Sequence, residues 1–185
     1  MRARGPGQSP LLLLDVVAVL EDEGIDYAVI GAMAASLYGP LRGTTDADAL
    51  LWVTQPKLRQ LGRVLEKAGF HIELRDGDPD DPIPALLAVT DRYENRIDLL
   101  AGLRGVDPEA LSRSITVPFR GASLRFIGRE DFIAMKCFAG GPQDIQDARG
   151  ALKGAASGPD VDLLRRITRR FGRDALVVLD QLLPG

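Results

Sequence analysis

Cysteine and histidine are nearly absent: the 185 residues hold one of each, Cys137 and His71. A lone cysteine closes no internal disulfide and builds no thiolate metal site. It suits a reducing compartment and sets the expectation of a cytoplasmic protein. No run of 18 apolar residues occurs, so no transmembrane helix and no membrane partner are expected. A dominant charge sign is lacking too. Against 26 Asp+Glu stand 23 Lys+Arg, a net charge of -3, which gives no overall pull toward nucleic acid. Contact with RNA must therefore rest on a local patch.

What is present is ordinary for one globular domain: 45% hydrophobic and 26% charged residues in a chain long enough to bury a sizeable core. The opening MRARGPGQSPLLLL pairs basic residues with leucines, but Asp15 interrupts the run and no small-residue cleavage site follows in place. Residues 1–9 are read as a flexible tail.

Leu13, Val16, Val17 and Leu20 follow the i, i+3, i+4, i+7 spacing of an amphipathic helix that Gly24 stops. DYAVI (26–30) reads as a short apolar strand, and Gly31 opens the alanine-rich helix GAMAASLYG. DADALLWV reads as the next strand, Pro56 to Ala68 as a helix, and His71 to Leu74 as a possible strand. ALLAVTD and RIDLLAG flank RYEN as a hairpin, and SITVPF and ASLRFI form a second around Arg120-Gly121. From about Gly128 on, four helical segments follow: REDFIAMKCFAG, PQDIQDARGAL, DVDLLRRITRRFG and RDALVVLDQLL. Five or six strands among few helices favour an α+β fold. The expected organisation is an α/β core over 10–127 and a helical C-terminal segment over 128–185.

TTDADALLWV (44–53) carries the chemical question. Asp46 and Asp48 are two apart on a strand, so they share one face with Cα atoms roughly 6.5–7 Å apart. They repel each other there unless something positive sits between them. Oxygen-only ligands at this spacing suit Mg²⁺ or Mn²⁺. A third acid, Asp98 in RIDLL, lies between Ile97 and Leu99, which should face the core. Asp98 then faces the other side with Arg96 and Leu100. If the two strands are neighbours, the three carboxylates converge. A triad of this kind holds two metal ions about 3.5–4 Å apart, the geometry for in-line phosphoryl or nucleotidyl transfer. Asp98 would be the general base.

Upstream, strand YAVI runs into Gly31-Ala32 and a helix. A glycine at that junction lets backbone approach a ligand closely, and the free N–H groups of a helix start favour a phosphate. A phosphate cradle about fifteen residues before a metal site suits a nucleoside triphosphate.

With these residues in place, IGAMAASLYGPLRGTTDADALLWV resembles the signature of DNA polymerase β-like nucleotidyltransferases. More narrowly, G-x-x-A…G-x-x-R-x-T-x-D-x-D is similar to the bacterial branch with AbiEii-type toxins and small nucleotidyltransferase-like proteins. Gly31, Ala34, Gly39, Arg42, Thr44, Asp46 and Asp48 fill it. FIAMKCFAGGPQDIQD resembles that branch's downstream motif, a helical lysine followed by D-x-x-D, here Lys136, Asp144 and Asp147. The resemblance spans roughly residues 25–150. It implies that Asp46, Asp48 and Asp98 bind Mg²⁺ (or Mn²⁺) and carry catalysis. Gly31, Ala32, Arg42, Thr44, Thr45, Lys136 and Asp144 would serve the NTP, with Asp144 orienting Lys136. A nucleotidyl group would pass to a hydroxyl of tRNA or other RNA, a protein or a small molecule, and a cognate antitoxin is an expected partner. One departure is Gly31-Ala32, where the family has Gly-Ser or Gly-Gly. It supports the alternative of a non-catalytic binding protein with this fold. A metal-dependent phosphohydrolase ranks last, since it wants histidines around the acids.

The arginines of RRITRRFGR (Arg165, Arg166, Arg169, Arg170, Arg173) lie opposite the stripe Val161, Leu164, Ile167, Phe171 and read first as a solvated face, secondarily as an RNA contact with Arg125 and Arg129 at its rim. His71 reads as structural, and Trp52 and Tyr38 as core residues.

Overall fold

The computed structural model describes residues 2–41, 46–154 and 158–183. Among them are seven strands and seven α-helices, an α+β architecture as expected. The strands are β1 (Tyr27–Ile30), β2 (Asp46–Leu51), β3 (His71–Asp76), β4 (Ala85–Thr90), β5 (Arg96–Ala101), β6 (Ile115–Phe119) and β7 (Ala122–Phe126). They form one mixed sheet in the order β3-β4-β5-β2-β1-β7-β6. The helices are α1 (Ser9–Asp22), α2 (Gly31–Tyr38), α3 (Gln55–Lys67), α4 (Arg129–Ala139), α5 (Pro142–Lys153), α6 (Val161–Arg170) and α7 (Arg173–Leu182). None of the described helices is long and apolar enough to cross a membrane.

The chain divides into two compact units. The first comprises Met1–Met33, Gly43–Arg104 and Thr116–Phe126 and holds most of the sheet. β1 is buried on both faces, as its unbroken apolar run requires of a central strand. β3 is an edge strand, and its exposed His71, Glu73 and Arg75 discourage further pairing there. α1 packs on β2 and β5, and α3 on β3 and β4. Gly62 of α3 sits so close to Ile72 and Leu87 that a Cβ would lie 3.5 and 3.3 Å from their methyl groups. The helices therefore cover the face that carries Ile72, Leu87, Ile97 and Ala47. The site residues point from the other face.

Residues ahead of α1, expected to be a tail, carry specific contacts. Ala3 is buried, and Asn95 ties this segment to the β4–β5 turn. Gln8 N–H donates to Asn95 Oδ1 at 2.6 Å, and Asn95 Nδ2 donates to Gly5 O at 2.9 Å and to Asp91 Oδ2 at 2.8 Å. This network anchors the start of β5 two residues before Asp98.

The second unit comprises Ala34–Arg42, Gly105–Ile115 and Ile127–Gly185. α4 is its central helix, packed by α5, α6 and α7. Arg113 makes a bidentate pair with buried Asp131, both bonds 2.7 Å, and stitches the segment before β6 to the start of α4. Cys137 of α4 is also buried, and that burial pushes its thiol up to about 12. It is expected to resist thiol reagents at neutral pH in the folded protein and to react at full rate in denaturant; titration with a disulfide reagent checks this.

Three details differ from the sequence reading. β2 ends at Leu51, so Trp52 and Val53 lie beyond it. Its partner β1 starts at Tyr27, opposite Leu51, and only one further bond, Trp52 N–H to Asp26 O at 3.0 Å, continues the ladder. Trp52 and Tyr38 are half-buried rather than core residues, with the Tyr38 hydroxyl donating to Ile127 O at 2.5 Å. A 3-10 turn, Pro108–Leu111, was not foreseen, because four residues are too few to show periodicity; Asp107 caps it by accepting from Glu109 N–H at 2.8 Å.

Candidate active site

β2 and β5 are neighbours and run parallel, although the residues joined are fifty apart in sequence. Their register places Asp48 directly beside Asp98, and Asp46 beside Arg96. In-register residues on adjacent strands share a face, about 4.8 Å apart at the backbone. Asp46, Asp48, Asp98 and Arg96 therefore stand on one face at one end of the sheet. The expectation that Asp98 faces away from Ile97 and Leu99 holds, since both of these are fully buried.

β1 lies on the other side of β2, with its last residue, Ile30, beside Asp48. The chain turns at Gly31, φ +61, and enters α2. A Cβ at Gly31 would overlap Asp48 Oδ2 and lie 3.0 Å from Asp48 Cγ. The carboxylate of Asp48 thus rests against bare backbone at the first residue of α2, where the partial positive charge of a helix start favours an anion. Only glycine satisfies both the left-handed turn and this close approach.

Among the described residues, one positive group beside these carboxylates is Arg96. Its Nε donates to Asp98 Oδ1 at 2.9 Å. That bond raises the Arg96 pKa above its ordinary value, against desolvation, and the charges of Glu73 and Asp46 add to it. Glu73 reaches this ensemble along the row Glu73, Ala88, Asp98, Asp48 that the register lines up across four strands. His71 is on the same face in the neighbouring row. Its side chain is 70% exposed and 3.5 Å from Glu73, a surface residue of an edge strand. The strand pattern alone puts Arg96 on this face and assigns it no role. The signal was the i, i+2 spacing of Arg96 and Asp98.

The donor set fits a hard divalent cation: carboxylate oxygens only, in register on adjacent strands, with Asp48 cradled where a Cβ is missing. Among the described residues, no group of three His, Cys, Asp or Glu is already gathered at metal-holding distance. Arg96 holds one of the oxygens concerned. Arg42, Thr44 and Thr45, expected to serve the nucleotide, lie outside the described residues. Ala32 stands second in α2.

Lys136, Asp144 and Asp147 meet in the second unit. Lys136 Nζ lies 2.7 Å from Asp144 Oδ1 and 2.9 Å from Asp147 Oδ2, and 5.7 Å from the ring centre of Phe132. Burial works against the ammonium, but hydrogen bonds to both carboxylates outweigh it and hold its pKa above the ordinary lysine value. A raised pKa means that the stabilisation is fully present at neutral pH and lost only as pH rises through the raised value. Lys136→Met is expected to destabilise the protein by about 1–3 kcal/mol, because it removes the ammonium shared by Asp144 and Asp147 and leaves Asp147, 6% exposed, with the neutral Gln143 amide at 3.0 Å in place of that charge. Chemical denaturation of the variant measures it.

Arg125 and Arg129, expected at the rim of the basic patch, are engaged with Asp26 at 3.1 Å and Gly158 O at 2.9 Å, and Arg165 of the patch itself pairs with Asp180. Arg166, Arg169, Arg170 and Arg173 are exposed.

By sequence, no protein-family model and no curated protein matches the chain. By structure, it is similar to the solution structure of the antibiotic-resistance factor ANT(2'')-Ia, with a TM-score of 0.62 at 13% identity over 94% of this chain and 95% of that one. It is also similar to an antigenic nucleotidyltransferase-like protein from Paracoccidioides brasiliensis, with a TM-score of 0.58 at 18% identity over 90% and 84%. A third similar structure is the lincosamide antibiotic adenylyltransferase LnuA bound to lincomycin, with a TM-score of 0.52 at 15% identity over 83% and 100%. The fold is shared with nucleotidyltransferases over nearly the whole chain.

Proposed function

We propose that this protein is a metal-dependent nucleotidyltransferase that passes a nucleotidyl group from an NTP to a hydroxyl acceptor. The observation that carries the reading is the zero-offset register of Asp48 and Asp98 on adjacent strands, with Gly31 bare beside Asp48. Bound Mg²⁺ or Mn²⁺ would neutralise triphosphate charge and polarise the reacting phosphoryl group. Asp46 and Asp48 would hold it with Asp98. Asp98 takes the proton of the acceptor hydroxyl as its oxygen bonds to the α-phosphorus. The bond from that phosphorus to the leaving pyrophosphate breaks. Gly31 and Ala32 offer backbone N–H groups to a phosphate at the start of α2. By the resemblance, Lys136 would serve as a charge on the triphosphate, with Asp144 orienting it.

The acceptor class follows from likeness alone. One ANT(2'')-Ia structure contains adenylyl-2''-tobramycin, and LnuA is described with lincomycin, so among the expected acceptors (RNA, tRNA, protein and a small molecule) likeness supports the small hydroxylated molecule. A toxin of the AbiEii type with a cognate antitoxin in the cytoplasm is the narrower form of the proposal. Lys136 with its two aspartates is what supports it.

A second reading is a non-catalytic binding protein with this fold. The salt bridge that occupies Asp98, together with Ala32, favours it. The experiment is label transfer: purified protein, Mg²⁺, each labelled NTP, and in turn bulk tRNA, an aminoglycoside and a lincosamide. Transfer that disappears in Asp46→Asn/Asp48→Asn supports the enzyme. Absence of transfer, with no NTP or metal binding by calorimetry, leaves the binding protein.

A further inference from the structure

We propose that Arg96 is a positioning residue that competes with a divalent cation for Asp98, so that metal entry requires the guanidinium to swing away. This rests on the metal-site reading above and adds to it a residue and a device that the carboxylates alone do not contain.

Arg96 Nε donates to Asp98 Oδ1 at 2.9 Å, and a cation that takes the same lone pair displaces the donor. The two residues are i, i+2 on β5 and face the same way, so the contact is local and needs no distortion of the strand. Arg96 also stands beside Asp46 in the register, so its charge lies among the carboxylates that would share the metal.

Arg96 has room to leave. Its side chain is 48% exposed, against 28% for Asp98. The residues beside the pair on β4 are small, Thr90 next to Arg96 and Ala88 next to Asp98. A guanidinium can therefore rotate into solvent or toward Glu73 while the carboxylate stays. Glu73, already among the charges acting on Arg96, would receive it on the same sheet face.

Two consequences follow. Metal affinity is set below what the carboxylates alone would give, because a cation on that lone pair must break a charge-assisted hydrogen bond, worth on the order of a factor of ten in an equilibrium. Asp98 is also held in one orientation before the cation arrives, which keeps the proposed base from turning outward.

The test uses the full chain and Mn²⁺ alone, with free Mn²⁺ counted by electron paramagnetic resonance. Arg96→Met, which keeps the aliphatic stem and removes the hydrogen bond to Asp98, is expected to bind Mn²⁺ about tenfold more tightly than the unmodified protein. Arg96→Lys should fall between the two, and Asp48→Asn should lose the site. In a second measurement, Mg²⁺ is titrated while the ¹⁵N–¹H signal of the Arg96 Nε–H is followed, assigned by its loss in Arg96→Met. It is expected to move to the position of a solvated guanidinium as Mg²⁺ saturates. Equal or weaker Mn²⁺ binding by Arg96→Met, or an unmoved Arg96 signal at saturation, overturns the proposal while the metal site itself stands. If neither folded protein binds Mn²⁺, the metal-site reading falls, and the role of Arg96 with it.

Discussion

Changing Asp48 to asparagine is expected to lower nucleotidyl transfer by about 10³-fold or more while leaving the folded protein at least as stable. The substitution keeps the shape and removes the charge. On the catalytic side, Asp48 is the carboxylate cradled at Gly31 and in register with Asp98, so its loss removes one of the paired ligands. Metal-borne charge stabilisation is worth several kcal/mol in a transition state, and each 1.4 kcal/mol is about a factor of ten. On the stability side, like charges directly beside each other in a sheet are unfavourable, so neutralising one relieves Asp98, and this offsets the loss of a charge that the start of α2 favours. Asparagine still accepts hydrogen bonds in the same place. The melting temperature should therefore stay level or rise slightly, measured by calorimetry beside the transfer assay. A clear fall in melting temperature would mean that Asp48 is structural, and the loss of activity would then say nothing about chemistry.

Gly31→Ala is expected to cost both stability and activity, by about 2–4 kcal/mol for the first. Two causes are separable because the fold contains a control. Gly24, in the turn after α1, has φ +62 and no atom within 4 Å of an added Cβ, while Gly31 has φ +61 and Asp48 in the way. Gly24→Ala bears the left-handed backbone cost alone, about 1 kcal/mol. The excess at Gly31 is the overlap with the carboxylate, which neither β1 nor β2 can relieve by moving, since each is paired on both sides. Asp48→Ala added to Gly31→Ala should bring the stability loss back toward the Gly24 value, a coupling that a double-mutant cycle reads directly. Transfer should vanish in Gly31→Ala and persist in Gly24→Ala. If the two single variants unfold at the same denaturant concentration, Gly31 is a turn glycine and the cradle for Asp48 is not built as described.

Much of this was legible from local patterns. Every strand and helix of the sequence reading exists, with ends moved by a few residues, because each has its own periodicity or apolar run. Tyr27 to Ile30 had to be central, being apolar throughout. The misplaced ends have local causes: Trp52 and Val53 are apolar enough to extend β2, but the partner strand stops first. The 3-10 turn at Pro108 and the contacts of Asn95 with the first nine residues leave no periodic trace.

By itself, the sequence determined which residues could do chemistry and which way they point along each strand. Asp46 and Asp48 share a face because side chains alternate with a period of two, and Arg96 and Asp98 share one for the same reason. Gly31 stands where a strand must become a helix. The tertiary structure alone decided that these two pairs meet. Placing β5 beside β2, in parallel and with zero offset, is a choice among pairings distant in the chain, and a slip of one residue would turn Asp98 to the covered face. That slip is prevented by Ile97 and Leu99, whose burial under the helices is lost if the register shifts. The same non-local step set Arg96 beside Asp46. In the second unit, the packing of α5 on α4 joined Asp147 as well as Asp144 to Lys136. One charge that offsets the carboxylates at this end of the sheet, Arg96, was written two residues from Asp98, and strand pairing set it beside Asp46.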